Sequence, residues 1–183
     1  MRVAICDYGA GNVRSVQVAF GRLGADATPT NDPAAVRAAE LAVLPGVGSA
    51  ASAMAALEST GLAAALCERF AAARPILGIC LGLQLSLEES EEDGGVECLG
   101  LLPGRAVRLR NGRVPRIGWA PVDPAGDAYY FAHSYAAETP AATARSEGLV
   151  AEARSGSLIG VQFHPEKSGA AGARYLKQCL WLA

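Results

Sequence analysis

Three short apolar runs, Val3 to Cys6, Leu41 to Leu44 and Pro75 to Ile79, constrain this chain more than any other feature. Each is followed by a glycine or proline turn and then by a helical pattern. A strand that is apolar at successive positions is covered on both faces, the condition of a parallel strand held between two helix layers. Between the runs, Val13 to Leu23, Ala50 to Leu57 and Leu62 to Ala73 carry alanine, leucine and polar residues at helical spacing. The alternation predicts an α/β fold with an open, mixed, mainly parallel sheet flanked by crossover helices.

After about residue 95 the texture changes to shorter strand-like pieces separated by Gly, Pro and Asp, around Ala106 to Leu109, Tyr129 to Tyr135 and Ser157 to Phe163. These predict antiparallel strands added to the same sheet. A closing helix over Gly172 to Trp181 presents Tyr175, Leu176, Cys179 and Leu180 on one face. The 183 residues contain no repeat and no linker, so a single domain over 1–183 is expected.

Composition excludes several functions. A chain that is 51% hydrophobic and 19% charged has the material for a core and lacks the polarity of disorder. A net charge of −2 argues against a nucleic-acid partner. The five cysteines form no C-x-x-C pair and no metal spacing, which suits a reducing cytoplasm. The opening MRVAICDYGAGN reaches Asp7 before a signal-peptide core develops, and no apolar run approaches the length of a membrane span. A cytoplasmic protein with no membrane partner is expected.

The stretch Pro75-Ile-Leu-Gly-Ile-Cys80-Leu-Gly-Leu-Gln84 ends a buried strand at Cys80 and starts a helix at once. This G-x-C-x-G has the shape of a nucleophile elbow, in which small flanking residues permit a sharp turn and leave the central side chain exposed. Gly78 and Gly82 supply that room, and they are poor choices for a strand or helix interior unless the backbone needs them. The positive end of the helix favours a thiolate and offers N–H groups to an oxyanion. Cys6, Cys67, Cys98 and Cys179 keep the ordinary reading of small buried hydrophobes.

A cysteine nucleophile needs a base, and the chain has two histidines. His164 ends the strand-like run Leu158-Ile-Gly-Val-Gln-Phe163, which delivers it to a sheet edge where open α/β sheets place their sites. Glu166, two residues on and held by Pro165 in a rigid extended segment, can orient the imidazole. His133 is given a structural or substrate-wall role, since one base suffices. Two histidines with no paired spacing make no metal site, and no cofactor is expected.

With those residues in hand, Gly78-Ile-Cys80-Leu-Gly-Leu-Gln84 with His164-Pro-Glu166 resembles the triad-type, class I glutamine amidotransferases. Five further segments are similar to the glutaminase subunits of imidazole glycerol phosphate synthases. These are Asp7-Tyr-Gly-Ala-Gly-Asn12, Leu44-Pro-Gly-Val-Gly48, Leu99-Gly-Leu-Leu-Pro-Gly-Arg105, Tyr130-Phe-Ala-His-Ser-Tyr135 and Gly160-Val-Gln-Phe-His-Pro-Glu-Lys-Ser-Gly169. The resemblance implies a flavodoxin-like class I fold with added antiparallel strands. It also implies Cys80 as nucleophile, His164 as base and Glu166 as its orienter, with Val47 and Leu81 offering oxyanion N–H groups. Gly48, Gln84, Glu92, Ser134 and Tyr135 would hold glutamine. Within the acidic run Glu88 to Asp93, otherwise a solvated face at the end of the helix that Cys80 starts, it singles out Glu92 for the substrate's α-ammonium group.

The implied partner is a (β/α)₈-barrel cyclase that receives the ammonia, and the joint reaction is a step of histidine biosynthesis. Tyr130, Lys167 and Trp119, with the Pro115 to Trp119 segment, would face it. Two departures from the family pattern fall in Val114-Pro-Arg116-Ile-Gly-Trp119-Ala120, where Arg116 replaces a usual His and Ala120 a usual Asn. They put the detail of docking in question. Two other readings stay open: a glutaminase serving a different synthase, and a catalytically silent module that only regulates a partner. A dinucleotide site at Gly9 to Asn12 lacks the third glycine of the fingerprint.

Overall fold

The computed structural model describes residues 1–9 and 11–181. Its first half alternates strand and helix: β1 (Arg2–Cys6), α1 (Val13–Arg22), β2 (Asp26–Thr30), α2 (Pro33–Ala38), β3 (Leu41–Leu44), α3 (Ala50–Thr60), α4 (Leu62–Ala71), β4 (Ile76–Ile79) and α5 (Leu81–Leu85). The second half is strand-rich: β5 (Glu89–Ser90), β6 (Val96–Glu97), β7 (Arg105–Arg108), β8 (Arg116–Pro121), β9 (Ala128–His133), β10 (Tyr135–Glu138), β11 (Ala142–Ser146), β12 (Leu149–Ser155) and β13 (Leu158–Val161), closed by α6 (Gly169–Trp181).

The main sheet has seven strands in the order β11-β12-β13-β4-β3-β1-β2. From β13 to β2 every neighbour is parallel, whereas β11 and β12 join antiparallel at the far edge. The parallel part has the order of a flavodoxin-like sheet, which collects functional loops at the carboxyl ends of its strands. Alternation along β1 and β3 divides the core in two. Ala4, Cys6, Ala42 and Leu44 pack with α2, α3 and α4, while Val3, Ile5, Leu41 and Val43 pack with α1 and α6. Among the described residues, no single helix is long and apolar enough to cross a membrane.

The structure departs from the sequence expectations in the second half. Only β11 and β12 extend the main sheet as antiparallel additions; β10-β7-β5-β6 form a separate four-stranded sheet and β8-β9 a separate pair. The run Tyr129 to Tyr135 is therefore two strands, because the chain changes sheet at Ser134, whose carbonyl accepts from Leu109 N–H at 2.9 Å. The helix begun by Cys80 stops at Leu85, so the run Glu88 to Asp93 lies beyond it, in β5 and a 3₁₀ turn at Glu92–Gly94.

The elbow depends on two contacts that only glycine allows. A Cβ on Gly82 would sit 1.9 Å from the Leu44 carbonyl oxygen, and one on Gly78 would sit 2.8 Å from the Gly82 carbonyl oxygen. Absence of these methyl groups lets α5 fold back against β3 and β4 directly after the turn. Cys80 itself adopts φ 55° and ψ −107°, a left-handed value that costs a non-glycine residue on the order of 1–3 kcal/mol and is sustained by the packing around it.

Candidate active site

β4 and β13 are adjacent and parallel, with Val161 opposite Ile79. The two strands therefore deliver Cys80 and the segment Gln162 to His164 to one end of the sheet. Cys80 N–H donates to Val161 O at 2.7 Å, and His164 N–H to Tyr130 O at 2.8 Å, which fixes both backbones against their neighbours. Cys80 is buried, and its Sγ lies 3.8 Å from Ala132 O and 3.5 Å from Gln162 Nε2.

His164 Nδ1 lies 2.9 Å from Glu166 Oε1, with both side chains almost fully enclosed. A carboxylate only accepts, so Nδ1 carries the proton and Nε2 is left for the sulphur side. Burial works against charging this imidazole, but the neighbouring Cys80 and the hydrogen-bonded Glu166 outweigh it and push its pKa up to about 9. The arrangement favours the charged imidazole beside the Cys80 sulphur.

Glu166 reaches the imidazole from a different backbone than expected. Pro165–Lys167 forms a 3₁₀ turn rather than an extended segment, since proline at the first helical position presets φ for a turn. Glu166 Oε1 also accepts from Asn12 Nδ2 at 3.2 Å, whereas Oε2 is buried with no partner among the described residues. Asn12 stands at the N-terminus of α1.

Val47 and Gly48 form an exposed turn after β3, with Gly48 at φ 107°. Gly46 is so close to Leu81 that a Cβ on it would meet Leu81 Cβ at 2.5 Å, so the two segments carrying the expected oxyanion groups are in contact. The Tyr8 hydroxyl donates to Pro45 O at 2.7 Å and ties this turn to the loop after β1.

Gln84 is buried on α5 and donates through Nε2 to Tyr135 O at 2.9 Å and to Gln162 Oε1 at 3.1 Å. Glu92 Oε2 accepts from Ala50 N–H at 2.9 Å at the start of α3, and burial raises its pKa despite that bond. This places Glu92 beside the turn that carries Gly48. Ser134 and Tyr135 follow β9, whose Ala132 carbonyl faces the sulphur. His133 is buried, with Nδ1 2.8 Å from Tyr135 O; burial pushes its pKa down to about 4 and keeps it neutral. Asn12 and Gln162 were not singled out as site residues by sequence reasoning. An amide inside an otherwise apolar strand end was the available signal for Gln162.

The β8-β9 pair packs one face into the core and presents the other outward. Ile117 and Trp119 are 62% and 59% exposed, and Trp119 pairs across the strands with Tyr130 at 6.2 Å between ring centroids. Lys167 lies over the Tyr130 ring at 6.0 Å. Arg116 and Ala120 alternate onto the opposite, inward face. Arg116 sits 4.2 Å over the Phe131 ring and bonds Glu147 Oε2 at 2.9 Å and Ser146 Oγ at 2.8 Å, while Ala120 is buried. The two departures from the family pattern thus change the packing beneath the outward face, not that face itself.

Comparison with known proteins accords with this architecture. The family description glutamine amidotransferase class-I matches residues 4–183. The imidazole glycerol phosphate synthase subunit HisH of Methanothermobacter thermautotrophicus is 45% identical over 96% of this chain and 96% of its own length. The HisH subunit of Moorella thermoacetica is 46% identical over 96% of this chain and 92% of its own. The chloroplastic imidazole glycerol phosphate synthase hisHF of Arabidopsis thaliana is 40% identical over 97% of this chain and 34% of that protein. A solved glutamine amidotransferase structure shares the fold with TM-score 0.84 at 20% identity, covering 98% of this chain and 97% of its own. The chain belongs to the class-I glutamine amidotransferases and, within them, to the HisH subunits of imidazole glycerol phosphate synthase.

Proposed function

We propose that this chain hydrolyses glutamine to glutamate and ammonia through a thioester on Cys80 and passes the ammonia to a (β/α)₈-barrel cyclase subunit, in the cytoplasm, as a step of histidine biosynthesis. The observation that carries the chemistry is the convergence of Cys80, His164 and Glu166 at the ends of two adjacent parallel strands. His164 takes the thiol proton and the sulphur attacks the carboxamide carbon. Main-chain N–H groups of Val47 and Leu81 receive the developing oxyanion. His164 then gives its proton to the departing nitrogen, which leaves as ammonia, and a thioester remains. A water deprotonated by His164 attacks the thioester, releasing glutamate and restoring the thiol. Glu166 keeps the imidazole in the productive tautomer throughout.

Gly48, Gln84, Ser134 and Tyr135 hold the substrate, and the Glu92 carboxylate takes its α-ammonium group. Ammonia released into neutral water becomes ammonium and is lost as a nucleophile, so the receiving subunit has to close over the site. Ile117, Trp119 and Tyr130, with Lys167 beside them, form an outward face whose Tyr130 ring stands 6.4 Å from that of His164, which suits such docking. The matching segment makes up 34% of the Arabidopsis hisHF protein, which leaves room for a second unit in that one polypeptide.

The test is glutamine turnover by the full chain alone and with a barrel cyclase carrying its own ligand. Turnover is expected to be weak alone and to rise with the cyclase, and Trp119→Ala should lose the rise. Strong turnover that the cyclase leaves unchanged would overturn the reading.

A further inference from the structure

A buried strand position is ordinarily filled by an aliphatic side chain, yet Gln162, fully enclosed next to Val161 and Phe163, is an amide. An amide at such a place is costly unless its polar atoms are paired. Its partners define a directed chain. Tyr135 O can only accept, so Gln84 presents Nε2 to it at 2.9 Å. The same nitrogen lies 3.1 Å from Gln162, which must therefore present Oε1. That leaves Gln162 Nε2–H facing Cys80 Sγ at 3.5 Å. A main-chain carbonyl thus sets the sense of every bond up to the sulphur, and the sulphur is the acceptor at its end. Gln162 N–H donates to Ala151 O of β12 at 2.9 Å, and the neighbouring Val161 O accepts from Cys80 N–H at 2.7 Å, so the residue is held between β12 and the elbow.

We propose that Gln162 is a positioning residue for the nucleophile: it donates a hydrogen bond to Cys80 Sγ, aims the sulphur into the site, and couples that grip to Gln84 and Tyr135. This rests on the reading of Cys80 as the nucleophile. The bond strengthens when the thiol proton moves to His164, because the acceptor becomes an anion. Gln84 and Tyr135 are also assigned to substrate holding, so a shift in either on binding glutamine reaches the sulphur through the two side-chain amides.

The test is the pH profile of Cys80 alkylation by iodoacetamide in the full chain, read by peptide mapping so that the partly buried Cys67 and Cys98 are scored separately. Gln162→Met keeps the length of the side chain and removes the donor. Alkylation of Cys80 at pH 7 is expected to slow about tenfold, with the midpoint of the profile moving up by about one pH unit, the size of one charge-assisted hydrogen bond. An unchanged profile in protein that denaturant titration shows to be folded would overturn the proposal. Should Gln162→Met not fold, Gln162→Glu decides the matter. It keeps the shape and the Gln84 contact but turns an ionisable oxygen toward the sulphur, so alkylation should fall below the parent rate as that carboxyl ionises. A parent-like rate across the whole range would overturn the proposal equally. Iodoacetamide needs neither glutamine nor a cyclase, so this failure is distinct from failure of the glutaminase reading, which glutamine turnover reports.

Discussion

Glu166 Oε1 takes two donors, His164 Nδ1 and Asn12 Nδ2, so the carboxylate is steered from α1 as well as by its own imidazole partner. Replacing Glu166 by Gln removes the charge and places an amide where the imidazole proton points. The wrong tautomer then competes, and kcat for glutamine hydrolysis is expected to fall about 100-fold or more, with less effect on KM. The same variant changes the pH dependence of stability. Burial opposes protonation of His164, but the neighbouring Cys80 and Glu166 raise its pKa from 6.5 to about 9. A raised pKa contributes stability that is complete below about pH 6.5 and lost as pH rises through about 9. Denaturant midpoints measured from pH 6 to 10 should decline across that window in the parent and decline less in Glu166→Gln. Cys80, His164 and Glu166 stood out in the sequence because flanking glycines and a strand-end histidine are visible as patterns. Gln162 and Asn12 did not, because an amide's role depends on which neighbours the fold brings to it from up to 154 positions away.

Elements read from the sequence were those with continuous apolar runs. β1, β3 and β4 were expected as parallel strands, and α1, α4 and α6 as helices, close to their observed bounds, whereas β13, expected among the antiparallel additions, pairs parallel with β4. β2 carries Asp26-Ala-Thr-Pro-Thr30, with no apolar run and a proline, and its place is the sheet edge, where a missing N–H is tolerated. The change of sheet at Ser134 was invisible because both sides of it carry strand-like sequence. One buried side chain supports several element ends at once. Arg69 of α4 donates to the carbonyls of Val36, Arg37, Ala39, Glu40 and Pro75, joining the end of α2 to the starts of β3 and β4. Arg69→Met leaves these carbonyls without their donor, and unfolding titrations should show a loss of about 3 kcal/mol. These contacts lie at the opposite ends of β3 and β4 from Cys80, so kcat of the folded fraction should be unchanged.

Beside Cys80 the molecule places a two-stranded pair whose Ala132 carbonyl lies 3.8 Å from the sulphur and whose outer face carries Ile117 and Trp119. Under the proposed function, a subunit seated on that outer face lies beside Tyr130, whose ring is 6.4 Å from that of His164, so docking and hydrolysis share one side of the molecule. The sequence located this face through its resemblance to a family, but it could not separate the two sides of β8, and so Arg116 and Ala120 put the detail of docking in question. Strand alternation sends them inward, to Phe131, Glu147 and the core. The central claim is that Cys80 supplies ammonia to a second subunit and has no part in the chemistry that consumes it. The most direct measurement is product formation by the assembled Cys80→Ser complex, with glutamine and separately with ammonium salt as nitrogen source. Loss of the glutamine-dependent reaction with retention of the ammonia-dependent one is predicted, whereas glutamine-dependent product at the parent rate would contradict the account.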